Sequence, residues 1–286
     1  MKKLFAILML AVALVLTACG GNNAPVETTK DEEQNLFSTK DEGIFRVGME
    51  CNYAPYNWTQ LDDSNGGVAI AGESTFAGGY DVAFAKRIAD GLGMKLEIVK
   101  MEWDGLEPAL RSGKIDAVIA GMSPTAERKE NADFSEAYYN TNLVMIVNAE
   151  GAYAKAHGLE DFKGAKITGQ LNTVHYGVID QIEGVDKQPA IADFSTMRAA
   201  LQSGLIDGYV SEKPEGISAK NANQAFSFIE FEEGKGFNLP AEDTQIAVAL
   251  RKGSKLTSKI NEIIQKVSLE ERDEMMLEAI KHQPSL

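Results

Sequence analysis

The residue types and spacing that point most clearly to chemistry lie in the segment GMSPTAERKENADFSEAYY, residues 121–139. Thr125 is typical of a helix N-cap, which places Arg128 in the first helical turn. A helix N-terminus already carries partial positive charge, so a cation there costs roughly a few tenths of a kcal/mol unless an anion binds nearby. Free backbone N–H groups, the Ser123 hydroxyl and a planar guanidinium suit one carboxylate held by two hydrogen bonds. The alternative is a surface arginine paired with a neighbouring glutamate, Glu127 or Glu130.

The sequence contains no comparable group of residues for catalysis or for a metal. The histidines lie far apart with no cysteine or carboxylate at ligand spacing, so we expect structural or exposed roles for His157, His175 and His282. His175 lies near the predicted site helix and could contact the site residues without touching the ligand. No GxSxG, GxGxxG or phosphate loop is present. We therefore expect no catalytic residue, no metal ligand and no cofactor.

Strand-like apolar runs alternate with helical periods from Ile44 onward, which predicts βαβ units and a mostly parallel sheet in each of two lobes. The predicted strands are Ile44 to Met49, Lys95 to Val99, Ala117 to Ala120 and Thr244 to Leu250. The predicted helices are Tyr80 to Leu92, Leu106 to Arg111 and Leu256 to Val267. In the first helix the apolar face consists of Val82, Ala85, Ile88, Ala89 and Leu92.

An internal repeat supports the division into two lobes. LRSGKIDAV, beginning at Leu110, recurs as LQSGLIDGYV, beginning at Leu201. Each copy joins a helix end, a glycine C-cap and a buried strand, and Asp116 and Asp207 occupy the same place in it. Two lobes of related architecture follow, unless a generic helix–glycine–strand junction arose twice by chance.

The N-terminus reads as a secretion signal with a lipobox. Lys2 and Lys3 precede an apolar run from Leu4 to Leu16, and the tetrapeptide LTAC ends at Cys19. The run is short for a membrane span, so we expect cleavage before Cys19 (signal 1–18) and lipidation of its sulfur. The polar residues 19–43 are then a disordered tether. The alternative is a plain secretory signal with an incidental cysteine.

Composition narrows the partners. The sequence has a net charge of −14, and removal of Lys2 and Lys3 makes it −14 − 2 = −16, which disfavours nucleic acid and anionic headgroups. The remaining cysteine is Cys51, so a lipidated Cys19 leaves no intramolecular disulfide. About 240 residues follow the tether, which suits two domains with ordinary apolar cores.

The chain resembles the polar and basic amino-acid binding proteins of ATP-driven importers, the family 3 solute-binding proteins, from Ile44 to the C-terminal helix. The resemblance rests on GMECNYAPYNW, GGYDVAFAKRIAD, WDGLEPAL, GMSPTAERK with ADFSEAYY, GQLNT and DGYVSEKPEG. It implies the two-lobed periplasmic-binding-protein type II fold, an α/β fold with two hinge crossings. The late strand then returns to lobe 1, giving residues 44–141 plus 243–286 for lobe 1 and 142–242 for lobe 2.

The resemblance also implies roles for site residues. It assigns the carboxylate clamp to Arg128, with Ser123 and the Gly121 backbone beside it, and the acceptor of the α-ammonium to Glu212. Glu212 lies five residues after Asp207, as Gly121 lies five after Asp116, so the repeats end at opposing rims of one cleft. Alternatively, Glu212 is a solvated charge beside Lys213.

A second-lobe threonine and a glutamine are expected on the same rim. Thr173 matches the family position at the start of a second-lobe helix, where its hydroxyl and N–H meet the carboxylate. The family usually has glycine before it, whereas this chain has Asn172, a residue that tolerates the left-handed conformation. Gln170 is expected to line the rim.

Aromatic residues and one acid complete the predicted cleft. Tyr53 and Trp103 match the ring-stacking positions, and Trp is the best cation–π partner for a side-chain cation. Tyr56 could equally contact ligand or pack in the core. Glu50 matches the acidic position that reads the far end of a polar or cationic side chain, although it could merely orient neighbouring hydroxyls.

The signal sequence, the candidate site residues and the family resemblance together predict an extracytoplasmic, lipid-anchored binding protein. We expect it to capture a free L-amino acid, polar or basic, for an ABC importer. Its expected partners are the ligand, the permease subunits and the membrane through the lipid, and we expect a monomer that binds no nucleic acid. A surface amino-acid sensor or adhesin remains an alternative. A dehydratase-like enzyme is another, which would need Glu50 or His175 as acid or base.

Overall fold

The computed structural model describes residues 43–284, so the predicted signal peptide, lipidated Cys19 and most of the tether lie outside the described residues. The first of two large sheets has five strands in spatial order: β6 (Lys95–Lys100), β1 (Ile44–Met49), β7 (Ala117–Val118), β14 (Gln245–Arg251) and β8 (Ala132–Asn140). This sheet and its helices are called lobe 1. The late strand β14 pairs with β7 and β8, as the resemblance implied.

The second sheet belongs to what we call lobe 2. Its five strands lie in the order β11 (Asp186–Lys187), β10 (Lys166–Thr168), β12 (Gly208–Glu212), β9 (Leu143–Asn148) and β13 (Phe226–Ile229). The fold is therefore the predicted two-lobed α/β architecture.

Both sheets are mixed in the same way. β14 is antiparallel to both neighbours in lobe 1, and β9 is antiparallel to both neighbours in lobe 2. The other four strands of each sheet run in one direction. β9 and β14 are the first strands that the chain forms after it passes from one lobe to the other. A strand that enters directly from a crossing has no crossover helix to restore its direction, so it is the reversed member.

A third, small sheet was not expected from the sequence. Its strands lie in the order β2 (Asn52–Tyr53), β3 (Asn57–Gln60), β5 (Phe76–Gly78) and β4 (Val68–Ala69). The strands have two to four residues, too short for an alternating apolar pattern to be recognised. This sheet fixes the loop that follows β1.

Eight helices occur among the described residues, together with short 3-10 turns at Ser64–Gly66, Leu159–Phe162, Val178–Gln181 and Ala241–Thr244. The helices are α1 (Tyr80–Leu92), α2 (Trp103–Arg111), α3 (Ala126–Asn131), α4 (Val174–Gly177), α5 (Phe194–Gln202), α6 (Lys213–Ala222), α7 (Leu256–Ile264) and α8 (Leu269–His282). α1 has the predicted bounds and buries Val82, Ala85, Ile88 and Ala89, while Leu92 is partly buried. It ends at Gly93, whose φ of 69° is the left-handed C-cap that glycine favours.

The two repeat copies form the same local structure. Gly113 and Gly204 follow α2 and α5 with φ of 75° and 73°. Asp116 accepts a hydrogen bond from the Arg46 backbone N–H at 2.9 Å, and Asp207 accepts one from the Lys166 backbone N–H at 2.8 Å. In each lobe, the aspartate therefore ties its strand to the edge of the neighbouring parallel strand.

The two lobe crossings lie side by side. The Thr141 N–H, after β8, donates to the Thr244 carbonyl, before β14, at 3.0 Å. α8 adds a further contact between lobes, because it packs on α1 of lobe 1 and α6 of lobe 2. Its last turn is followed by Gln283, whose Nε2 donates to the Ser218 carbonyl at 3.2 Å. None of the helices in residues 43–284 is long and apolar enough to cross a membrane.

Candidate functional site

Arg128 lies where the sequence predicts it, in the first turn of α3. The Thr125 side chain caps that helix by accepting the Arg128 backbone N–H at 3.3 Å. The guanidinium donates from Nη1 to the Ser123 carbonyl at 3.0 Å and from Nη2 to the Asn172 carbonyl at 3.1 Å. Its carbon lies 5.1 Å from the centre of the Trp103 ring.

No carboxylate within residues 43–284 forms an ion pair with Arg128, so the pairing with Glu127 or Glu130 considered above is absent. Burial lowers the Arg128 pKa, opposed by the more distant charges of Glu107, Glu127 and Asp243. An arginine guanidinium nonetheless stays protonated in proteins. The clamp is therefore a desolvated cation held by two backbone carbonyls and an aromatic ring.

Ser123 and Gly121 lie in the segment between β7 and α3, and Ser123 contacts the guanidinium. Ser123 is buried, and the contact seen is made by its carbonyl rather than by the hydroxyl expected from the sequence. Gly121 has φ of 62°, and a Cβ there would lie 2.8 Å from Cε1 of Tyr53. A side chain at this position would displace Tyr53, so glycine is required by both backbone conformation and space.

Glu212 ends β12 on the opposite lobe and is buried at 2% exposure. Burial raises its pKa well above the usual range, with the nearby Glu215 charge adding to the effect. Its Oε1 lies 2.9 Å from Nε2 of His175, also buried, but the two groups do not align as a hydrogen bond. Burial, with Arg128 as a second cause, lowers the His175 pKa to about 3. His175 is therefore neutral at pH 7 in this conformation, and the raised pKa of Glu212 favours its protonated form. Because Glu212 is buried, the solvated-charge alternative is wrong.

Glu50 follows β1 on lobe 1 and meets lobe 2 through Gln170. Gln170 Nε2 donates to Glu50 Oε1 at 2.8 Å, whereas Glu50 Oε2 is buried with no partner among the described residues. Burial raises the Glu50 pKa to about 8, against the Gln170 hydrogen bond and with smaller contributions from Asp193, Glu102 and Asp104. A buried oxygen with an unused lone pair marks a position where a donor would bind favourably.

The aromatic residues separate into two groups. Tyr53 stacks on Phe194 of lobe 2 with ring centres 4.0 Å apart and planes 13° apart. Tyr56 is fully buried and meets Tyr80 and Tyr139 edge-on, so it is a core residue. Trp103, predicted to stack on the ligand, faces the Arg128 guanidinium and donates from Nε1 to the Asn172 carbonyl at 3.3 Å.

Thr173 and Asn172 start the second-lobe helix α4. Thr173 is its N-cap residue, and its hydroxyl donates to the Gln170 carbonyl at 2.7 Å, which orders the turn. Asn172, where the family usually has glycine, adopts φ of 55°. The left-handed conformation expected for that glycine position is thus preserved with asparagine.

A buried network fixes the loop that carries Glu50 and Tyr53. Asp81 accepts hydrogen bonds from Asn57 Nδ2 at 2.8 Å and from the Tyr138 hydroxyl at 2.6 Å. Asn57 Oδ1 in turn accepts the backbone N–H of Cys51 at 2.8 Å. Burial raises the Asp81 pKa to about 6, although these hydrogen bonds oppose the shift. The motif GGYDV thus supplies the anchor of the loop rather than a ligand contact.

Several predicted site residues contact the opposite lobe, Glu50 through Gln170, Arg128 through Asn172 and Tyr53 through Phe194, and the structure adds residues that the sequence did not reveal. Asn52 donates from Nδ2 to Asp193 Oδ1 at 3.3 Å and accepts from the Ser195 hydroxyl at 2.5 Å, across the mouth of the cleft. A cavity of about 480 Å³ adjoins Glu50 there, with Lys100 and Glu102 on one side and Asp193 and Phe194 on the other. The signal for Asp193 was available, since Asp followed by FST is a typical N-cap. Phe194 had none, because a buried aromatic residue is more often core.

The described residues contain no group of three or more histidine, cysteine or acidic side chains that could hold a metal. Cys51 is a buried free thiol. His157 lies 3.7 Å from Glu232, and His282 lies 3.0 Å from Glu278, both on the surface. Neither Cys51 nor the surface histidines belong to the candidate site, whose charged and aromatic residues lie at the cleft.

Comparison with known proteins agrees with this arrangement. Residues 45–278 match the family described as bacterial extracellular solute-binding proteins, family 3. The chain is 28% identical over 271 residues to the arginine-binding extracellular protein ArtP of Bacillus subtilis, covering 93% of each. It is 31% identical over 243 residues to a probable histidine-binding protein of Campylobacter jejuni, covering 83% of this chain and 85% of the relative.

Among solved structures, an amino acid ABC transporter substrate-binding protein from Streptococcus pneumoniae bound to L-arginine superimposes with a TM-score of 0.73. The sequences are 28% identical, and the match covers 84% of this chain and 94% of that chain. The predicted type II periplasmic-binding-protein fold is confirmed by this likeness. The chain belongs to the bacterial extracellular solute-binding proteins of family 3.

Proposed function

We propose that this family 3 solute-binding protein captures a free L-amino acid, polar or basic, between its lobes and delivers it to an ABC importer. The observation that carries the proposal is the set of three charged side chains at the cleft, the partly buried Arg128 and the buried Glu50 from lobe 1 and the buried Glu212 from lobe 2. An α-amino acid with a cationic side chain presents one anion and two cations, the complement of this set.

The α-carboxylate would bind Arg128. The guanidinium has five N–H donors, and the described hydrogen bonds to the carbonyls of Ser123 and Asn172 use two of its nitrogens. Donors remain for a carboxylate, and no protein carboxylate in residues 43–284 competes for them. Gly121, Ser123 and Thr173 are the proposed companions because they border this position.

The α-ammonium would bind Glu212. That carboxyl is buried beside neutral His175 and has no cationic partner among residues 43–284. An arriving ammonium would favour the ionised form, so binding would release a proton from Glu212 when it enters protonated. Glu212 and Arg128 come from opposite lobes, which makes a closed cleft the binding form.

The side chain of the ligand would extend toward Glu50, Gln170 and the cavity at the mouth. The unpartnered Oε2 of Glu50 suits an ammonium, guanidinium or imidazolium donor. Tyr53 and Trp103, which contact Phe194 and Arg128 with their rings, would border the ligand. An uncompensated buried carboxyl would oppose a neutral aliphatic ligand. The relatives above are named for arginine and histidine, and other relatives are named for cystine, so the preference for arginine, lysine or histidine over glutamine and cystine rests on Glu50.

The cellular setting belongs to the same proposal. Cleavage before Cys19 and lipidation of its sulfur would hold the protein on the outer face of the cell membrane, where two acyl chains anchor durably. Its partners would be the permease subunits of the importer. A monomer fits a cleft that must open and close, and we assign no catalytic residue.

A thermal-shift screen of the twenty amino acids tests the proposal. We expect the largest increase in melting temperature from arginine, lysine or histidine, because only these match Glu50 as well as Arg128 and Glu212. A largest shift from leucine or valine would overturn the specificity, and no shift from any amino acid would overturn the function.

A further inference from the structure

Asn172 of lobe 2 contacts three residues of lobe 1. Its backbone carbonyl accepts hydrogen bonds from Arg128 Nη2 at 3.1 Å and from Trp103 Nε1 at 3.3 Å. Its side-chain Nδ2 donates to Asp104 Oδ1 at 2.8 Å. The backbone and the side chain of one residue therefore bind the opposite lobe, and both contacts require a closed cleft.

The side-chain bond is the part that asparagine adds. Asn172 has φ of 55°, a conformation that glycine adopts freely and asparagine tolerates better than most residues. A glycine would keep the carbonyl in place for Arg128 and Trp103. It would lack the amide that reaches Asp104.

We propose that the Asn172 amide and the Asp104 carboxylate form a latch between the lobes that slows release of the bound solute. The identity of the solute rests on the function proposed above, but the latch itself acts on the closed form. Asp104 is the second residue of α2, where the helix N-terminus favours a negative charge, so the acceptor stands on a regular element of lobe 1.

The latch does not consume the groups that bind the solute. The side-chain bond lies between two exposed residues at the cleft edge and contacts neither Glu50 nor Glu212, although burial and, slightly, the Asp104 charge raise the pKa of Glu50. The Asn172 carbonyl accepts a hydrogen bond from Nη2 of Arg128 and leaves the other N–H donors of the guanidinium unaffected. Asn172 is thus a positioning residue, which acts through lobe closure and through Arg128.

A contact that exists only in the closed form changes the dissociation rate more than the association rate. A hydrogen bond to a charged group, weakened by exposure, corresponds to roughly a three- to tenfold effect on that rate. We expect Asn172→Gly to release the solute faster by this factor, with association nearly unchanged.

Stopped-flow measurement of L-arginine binding and release tests the latch. Asn65→Gly is the matched control, because Asn65 also has a left-handed φ, of 54°, and lies far from the other lobe in an exposed turn. Asp104→Ala and the double variant Asn172→Gly/Asp104→Ala complete a cycle. The latch predicts that the double variant releases L-arginine no faster than the faster single variant. Multiplying effects, or equal effects of Asn65→Gly and Asn172→Gly, would overturn it.

A second measurement needs no solute and so separates this proposal from the proposed function. Small-angle scattering of the ligand-free protein should give a larger radius of gyration for Asn172→Gly than for Asn65→Gly, because the latch favours closure by itself. If wild-type protein bound no amino acid but this difference appeared, the function would fail and the latch would stand. Identical radii together with unchanged release rates would refute the latch.

Discussion

At the scale of single residues, Arg128 is the residue on which the proposed site depends. Its local sequence is unfavourable for a helix start, and the structure shows a partly buried cation that forms no ion pair with a carboxylate among the described residues. Helix electrostatics singled out this residue as a candidate, and the family resemblance assigned it the carboxylate clamp. The role of Trp103 was not predictable from the sequence. It was expected to stack on a cationic ligand, but in the structure its ring faces the Arg128 guanidinium.

Replacing Arg128 should abolish amino-acid binding without unfolding the protein. Arg128→Ala leaves a buried ligand carboxylate without its charged partner, at a cost of roughly 2 to 5 kcal/mol. Arg128→Lys should lose nearly as much affinity, because an ammonium cannot make the two parallel hydrogen bonds that a planar guanidinium donates to a carboxylate. Isothermal titration with circular dichroism as the folding control measures both. Near wild-type affinity in a folded Arg128→Ala variant would contradict the clamp.

Glu50 gives the site a pH dependence of definite sign. Its pKa is raised by burial to about 8, so at pH 6 it is protonated and must lose the proton to pair with a cationic side chain. Affinity for L-arginine should therefore rise from pH 6 to pH 8 and then level off. Glu212, whose pKa burial also raises, contributes in the same direction.

The Glu50→Gln variant separates the contribution of Glu50 to the pH dependence of affinity from that of Glu212. It should weaken L-arginine binding at pH 8 and flatten the pH dependence, leaving only the part due to Glu212. Titrations in two buffers of different ionisation enthalpy count the released protons. An unchanged slope with intact binding in Glu50→Gln would remove Glu50 from the ligand site.

At the scale of elements, the sequence predicted those helices and strands whose bounds are set by apolar periodicity and by capping residues. The bounds of β1 and α1 agree with the prediction, since a continuous apolar run and a glycine C-cap define them locally. β2 to β5 were missed because pairing, not pattern, makes such short segments strands. One predicted helix after Leu256 is followed by a second, α8, which begins at the N-cap Ser268.

The repeat aspartates offer a matched test of element packing. Asp116 is buried, with Oδ1 also 3.3 Å from Arg251 Nη2, whereas Asp207 is more exposed and accepts the Lys166 N–H. Asp116→Ala would remove the acceptor of the Arg46 backbone N–H and one partner of the partly buried Arg251 guanidinium, which keeps its hydrogen bond to the Ile115 carbonyl. We expect a loss of roughly 2 to 3 kcal/mol of stability, against about 1 kcal/mol for Asp207→Ala, which loses a single hydrogen bond.

Urea unfolding of the two variants measures this difference. The midpoint should fall further for Asp116→Ala than for Asp207→Ala, while both retain secondary structure. Equal shifts would mean that the two carboxylates act only as local caps and that the Arg251 contact adds nothing.

At the scale of the whole molecule, two lobes meet through side chains of both at the cleft. The crossings at residues 141–144 and 239–245 lie together, joined by the Thr141–Thr244 hydrogen bond, so they can act as one hinge axis. The sequence could place the crossings only through the resemblance. It could not predict the contacts of Asn52, Phe194 and Asn172, because inter-lobe contacts depend on tertiary arrangement.

Ligand should draw the lobes together about this axis. The groups proposed for the α-carboxylate and the α-ammonium lie on opposite lobes, so both bind only in the closed cleft. Small-angle scattering should show a smaller radius of gyration at saturating L-arginine than in ligand-free protein. An unchanged profile at saturation would indicate a site confined to one lobe.

The most direct test of the interlobe amino-acid site is isothermal titration of ligand-free protein with L-arginine and with its α-carboxamide. The amide keeps the α-ammonium and the guanidinium but removes the negative charge that Arg128 would bind. We predict one molecule of L-arginine per chain with micromolar affinity, about −8 kcal/mol, and binding of the carboxamide at least a hundredfold weaker. Equal affinity for the two compounds, or no heat of binding with any free L-amino acid, would contradict the proposed site.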